Sequence, residues 1–178
     1  MSKLLYNDPW AIGEQPEIEW VDKGLFRRDK IRYVKNYWLA VPPEVRAKAP
    51  SLPDLMCLFE EFYCDGRSTP VGLIARDHPA GPAHDLPYRA PSWIETMRVL
   101  EIDPEIIKLT KEWGRCDRYD VDLMFLEHLR AVGKQQPLVH WNPRRVRAFH
   151  ALTRHSQWLA VRSPAGKAAW DKWRTVDA

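Results

Sequence analysis

A mainly α domain is what this chain predicts, and three observations carry it. Proline or glycine stands beside Ser, Asp or Asn at positions that match helix starts and stops. Apolar residues recur at spacings of three and four behind those starts. In the first half, by contrast, one longer run is β-branched and aromatic enough for a strand. The expected architecture is therefore a single compact helical domain over 1–178, with an α+β variant that carries a small two- or three-stranded sheet in the first half.

Residues 1–20 mix Pro9, Gly13 and Pro16 with Tyr6, Trp10, Ile12, Ile18 and Trp20, which predicts an irregular N-terminal arm pinned by its aromatics. From Lys30 to Val41 the residues Ile31, Tyr33, Val34, Tyr37, Trp38, Leu39 and Val41 read as a strand. Val34 and Trp38 break the alternation, so a helix stays open there, and Pro42-Pro43 ends either element. Ser51 reads as an N-cap with Pro53 behind it, for a helix through Leu55, Leu58, Phe59 and Phe62 that Gly66 stops. Val71 to Ala75 reads as a short strand. Residues 77–91 hold Pro79, Gly81, Pro82, Pro87 and Pro91, and predict a Pro-rich loop.

Ser92 then caps a short helix through Trp93, Ile94, Met97 and Leu100. Asp103-Pro104 opens a helix carrying Ile106, Ile107, Leu109 and Trp113, closed by Gly114. Asp120 opens another, with Leu123, Met124, Leu126, Leu129 and Val132, closed by Gly133. Residues 141–175 form basic, Trp/Arg-rich C-terminal helices. Asn142 and Pro143 start the first, whose apolar face is Val146, Phe149, Leu152, Thr153, Leu159 and Ala160, and which runs to about Arg162. Ser163-Pro164 starts a second, which sets Trp170 and Trp173 about one turn apart.

Charge polarises the chain. From Lys134 to the end, nine Lys/Arg face only Asp171 and Asp177, whereas the first 133 residues carry eighteen basic and twenty-two acidic side chains. The net charge of +3 hides a body at −4 and an end at +7. That asymmetry speaks of partners, nucleic acid or an acidic protein surface, and not of fold. The sequence pI near 8.8 falls short of a dedicated DNA binder and favours protein partners.

Three cysteines, no apolar leader and no run of 18 apolar residues predict a reduced, cytoplasmic protein with no membrane span. Nine tryptophans supply either an aromatic core or an interface.

Catalytic signatures are weak. Cys57, Cys64, His78 and His84 have spacings too loose for structural zinc, and Cys57 and Cys64 read as buried thiols on one helix face. His150 and His155 diverge around their helix, whereas His150 shares a face with Arg147 and Arg154 that suits a phosphate or a carboxylate. Asp117, Asp120 and Asp122 read as a helix-capping cluster, with a divalent-metal nuclease site as the sharper alternative. Cys116 lies between Arg115 and Arg118 but has no base in sequence, and neither a Gly-x-Ser-x-Gly elbow nor a phosphate-binding glycine loop is present.

The reading is a non-enzymatic interaction or assembly protein that uses no cofactor and no metal, and that docks on a protein partner or on copies of itself. A subunit or accessory factor of a larger assembly, such as a virus particle, is one setting for it. The binding residues expected are Arg144, Arg145, Arg147, His150, Arg154, Trp158, Trp170 and Trp173, since Arg and Trp are enriched at interface centres. The same residues suit an accessory nucleic-acid binder. A small metal-dependent hydrolase or nuclease is the third reading.

Overall fold

The computed structural model describes residues 2–3, 8–21, 30–64, 79–135, 151, 155–156 and 158–174. They form an α+β fold: small antiparallel sheets in the first half, helices after them. Strands β1 (Ser2–Lys3), β2 (Glu17–Val21), β3 (Lys30–Tyr33) and β6 (Tyr63–Cys64) pair in the order β1-β2-β3-β6. Strands β4 (Tyr37–Ala40) and β5 (Leu55–Leu58) form a second pair, in which Trp38 faces Cys57. No described helix is long and apolar enough to cross a membrane.

The N-terminal arm is thus more regular than its prolines suggest. Its ends become β1 and β2, and Ala11 bridges to Leu39. The single run from Lys30 to Val41 divides into β3 and β4 at Val34, Lys35 and Asn36. Asn36 turns its side-chain oxygen to the Glu60 N–H at 2.8 Å, which fixes the break. Pro42-Pro43 does end the strand, and Pro43 begins the one-turn helix α1 (Pro43–Arg46).

The helix expected after Ser51 is instead strand β5 followed by a turn. Glu61 sits at φ 71° in that turn, and its carboxylate receives both Nη1–H···O contacts of Arg32, at 3.1 and 3.3 Å. A non-glycine residue in the left-handed region costs about 1 kcal/mol, and the ion pair and the Glu61 N–H to Tyr33 C=O bond hold it there. Cys57 and Cys64 accordingly lie on strands in different sheets and not on one helix face.

The largest correction concerns residues 77–91. From Ala80 these belong to α2 (Ala80–Val99), which runs through Pro87, Pro91 and the supposed cap Ser92. Pro82 stands in the first turn, where the missing N–H has no intrahelical partner to lose. Pro87 and Pro91 each remove one helical hydrogen bond, at about 3 kcal/mol apiece. Burial of Leu86, Trp93 and Met97 on the same helix returns about 1.5–3 kcal/mol each. Tertiary packing therefore offsets the proline penalty. The Ser92 hydroxyl donates to the Arg89 carbonyl at 2.7 Å inside the helix.

Helix α2 is the central element, packed against α3 (Pro104–Trp113), α4 (Arg118–Gln135) and the last helix. Asp103 caps α3 by accepting the Glu105 N–H at 2.9 Å, and Gly114 closes it, as the sequence predicts. Helix α4 starts two residues before Asp120 and passes Gly133 to end at Gln135. Residues 158–162, the described end of α5, turn sharply at Ser163 into α6 (Pro164–Arg174). Ser163 Oγ accepts the Gly166 N–H at 3.2 Å, which completes the expected cap.

The core is aromatic. Phe59, Phe62, Tyr63 and Trp93 meet at centroid distances of 4.8 to 5.5 Å. Trp113 is fully buried and donates its indole N–H to the Leu55 carbonyl at 2.8 Å.

Candidate functional site

Helix periodicity brings two pairs of polar residues to one place. Arg118 and Asp122 are one turn apart on α4, and His84 and Tyr88 are one turn apart on α2. Where the helices pack, Tyr88 donates its hydroxyl to Asp122 Oδ1 at 2.6 Å, and His84 Nε2 approaches the same oxygen at 3.3 Å. Oδ2 faces Arg162 Nη1 at 3.4 Å and Arg118 Nε at 3.7 Å.

Asp122 is fully buried, and an unpaired carboxylate there would be costly. Two guanidinium groups and a phenol compensate it. Burial first, and then the bond to Asp122, push the Tyr88 phenol above its ordinary value, so it remains a donor.

The same residues fasten the C-terminal helices to the body. Arg118 Nη2 donates to the Val161 carbonyl at 2.5 Å and lies 3.5 Å from that of Ser163, at the corner between α5 and α6. Trp170 of α6 is buried with its ring edge-on to Tyr88, centroids 4.7 Å apart. Arg162 then continues outward. Its guanidinium lies 5.0 Å from the Tyr119 ring and 5.8 Å from the Trp158 ring.

A second buried cluster lies further along α4, at His128. Asp8 accepts the Trp10 N–H at 2.9 Å and the Tyr37 hydroxyl at 3.0 Å, and its Oδ1 lies 2.8 Å from His128 Nε2. Trp10 stacks on the imidazole at 4.1 Å. Burial would raise the Asp8 carboxyl, but the His128 charge and hydrogen bond, with the Trp10 and Tyr37 donors, leave it below its ordinary value.

Of the binding residues read from the sequence, Arg144, Arg145, Arg147, His150 and Arg154 lie outside the described residues, as does the side chain of Trp173. Trp158 is half-buried beside Arg162, whereas Trp170 is committed to the interior against Tyr88.

The aspartate cluster is dispersed. Asp120 accepts the Ser51 N–H at 2.9 Å, the Asp117 N–H donates to Ser51 Oγ at 3.0 Å, and Asp122 points elsewhere, to its arginines. One carboxylate flanked by two guanidiniums is a poor cation ligand. No group of three potential metal ligands is found among the described residues. His84 is taken by Asp122, His78 lies outside the described residues, and Cys57, Cys64 and Cys116 are buried. Cys116 Sγ donates to the Ser51 carbonyl at 3.2 Å, so its arginine neighbours do not make it an exposed nucleophile.

Of the residues that organise the interior, the sequence singles out Asp122, His84 and Arg118, each for a separate reason, and Tyr88 not at all. His84 and Tyr88 share a face only if residues 80–99 are helical, and the prolines argued against that. The Asp8 to His128 contact spans 120 residues and leaves no local pattern.

Comparison with protein-family models, curated proteins and solved structures finds no match.

Proposed function

We propose that this protein is a non-enzymatic interaction protein whose basic, Trp/Arg-rich C-terminal segment docks on an acidic protein surface, the body of a second copy. The supporting observation is the outer end of the Asp122 network. Arg162 is held between Tyr119 and Trp158, beside Leu159, with Tyr119 53% and Leu159 55% exposed. Aromatic rings and an arginine fixed in advance lose little conformational freedom on binding. They adjoin the end of the chain that carries +7, opposite a body that carries −4. Charge complementarity between copies then sets orientation and association rate. Head-to-tail contacts of this kind build rings or open chains, the logic of a subunit or accessory factor in a larger assembly.

Sedimentation velocity over a concentration series, at about 50 and 200 mM salt, tests this reading. Association that weakens at the higher salt and disappears in a Trp158→Ala, Leu159→Ala variant of unchanged circular dichroism supports it. A monomer at every concentration overturns self-docking. Salt-sensitive binding of labelled single-stranded RNA by that monomer would replace it with the nucleic-acid reading.

A further inference from the structure

A cavity of about 480 Å³ lies between α2 and α3, away from both buried clusters. Its apolar floor is Ala90, Pro91, Ile94 and Gly114, and its rim carries Arg98, Lys111, Arg115 and Glu95. Gly114 lines it at the C-terminal end of α3. A Cβ at that position would meet Ala90 Cβ of α2 at 3.4 Å, an ordinary van der Waals distance, and the Lys111 carbonyl of α3 itself at 3.3 Å, so α2 and α3 are in near contact at the base of the cavity.

The rim holds three cations and one carboxylate, and Glu95 already takes Arg98 at 2.9 Å. Lys111 and Arg115 make no hydrogen bond or ion pair with any described residue through their side chains. Arg32, Lys35, Lys48, Arg118 and Arg130 on the same body, by contrast, each face a carboxylate. Nor do the two serve as caps. Three of the last four carbonyls of α3 are satisfied by the chain, Thr110 by the Gly114 N–H, Glu112 by that of Arg115 and Trp113 by that of Cys116.

We infer that this cavity binds a small dianionic phosphomonoester, its phosphate between Lys111, Arg115 and Arg98 and its organic group on the Ala90, Pro91 and Ile94 floor. Two positive charges with no carboxylate partner among the described residues match a dianion. An ammonium from α3 and a guanidinium fork from the turn that follows it, with a second guanidinium from α2, address a tetrahedral oxyanion from several sides. The volume exceeds what phosphate alone fills and falls in the range of small-molecule pockets.

Titration of the full chain with phenyl phosphate, followed by calorimetry and by amide chemical shifts, tests the assignment. The expected result is saturable binding with Kd on the order of 1 mM or tighter, with the largest shifts at Ala90, Ile94 and Gly114. Lys111→Ala and Arg115→Ala should each weaken it roughly tenfold, with thermal midpoints unchanged because both side chains are exposed. Inorganic phosphate should bind more weakly, and benzyl alcohol not measurably. No saturable binding of phenyl phosphate, undiminished binding in the Lys111→Ala, Arg115→Ala double variant, or equal affinity for inorganic phosphate would overturn the proposal.

Discussion

His128 Nε2 lies 2.8 Å from Asp8 Oδ1, across 120 residues of chain and with neither side chain exposed to solvent. This contact closes the N-terminal arm onto α4, and the Trp10 ring stacked on the imidazole covers it. The Asp8 carboxyl is held below its ordinary value of 3.8, so its ionised form stabilises the fold above that value. The contribution is lost as pH falls through the lower folded value. Asp8→Ala should remove about 3 kcal/mol at neutral pH, because it leaves a buried imidazole without its partner. Urea unfolding from about pH 3 to 7 should show wild-type stability falling below pH 4 and a flatter profile in Asp8→Asn. Parallel profiles would mean that Asp8 is not the titrating group.

Asp122 should be the anchor of the C-terminal helices. Removing it leaves Arg118 and Arg162 side by side with no carboxylate, and takes the acceptor from Tyr88, which packs on Trp170. Asp122→Ala should lose about 3 kcal/mol, and amide exchange should accelerate first in α6 while β4 and β5 stay protected. Arg162→Ala should lose less, about 1 kcal/mol, since that side chain is partly in water. Uniform acceleration across all elements would show that the network supports the whole core and not the C-terminal attachment.

Cys57 should be unreactive in the folded protein. Burial pushes its thiol up to about 12, and alkylation requires the thiolate. Iodoacetamide at about pH 8 should leave Cys57 unmodified over an hour, with Cys64 and Cys116, also buried, protected alongside it. All three should label in guanidinium chloride. Rapid native labelling of Cys57 would indicate that β4 and β5 open locally.

Local signals served the sequence reading well where local chemistry decides the structure. Asp103 with Pro104, Gly114, and Ser163 with Pro164 are caps whose hydrogen bonds close within three or four residues, and each stands where the pattern placed it. Local pattern is overridden where tertiary packing outweighs propensity. Ser51, Pro53 and Asp54 imitate a helix start, yet Met56, Cys57 and Leu58 are buried between β4 and the helices, and an extended chain meets both. Pro87 and Pro91 forbid a helix in isolation, yet α2 forms because its neighbours cover it. Only a helix through these prolines sets His84 and Tyr88 on one face, so the partners of Asp122 leave no local pattern. The basic residues from Arg144 to Arg154 lie outside the described residues, so the charge asymmetry rests on sequence, while Arg162, facing Asp122, and Lys167, facing Asp171, are members whose settings are visible.

The corner between α5 and α6 should depend on a single missing carbon. Gly166 lies in the first turn of α6, where a Cβ would collide with the backbone carbonyl of Val161. That carbonyl cannot move freely, because Arg118 donates to it from α4 and Val161 packs against the cluster of Ala80, Phe125 and Leu129. Alanine is the better helix former by about 1 kcal/mol, so propensity alone predicts that Gly166→Ala stabilises. Steric overlap with fixed backbone should win, with a net loss of about 1–3 kcal/mol and a weakened Arg118 contact. Thermal unfolding decides between the two. A raised midpoint in Gly166→Ala would show that the corner has room to open, and that Arg118 does not fix the α5 end in place.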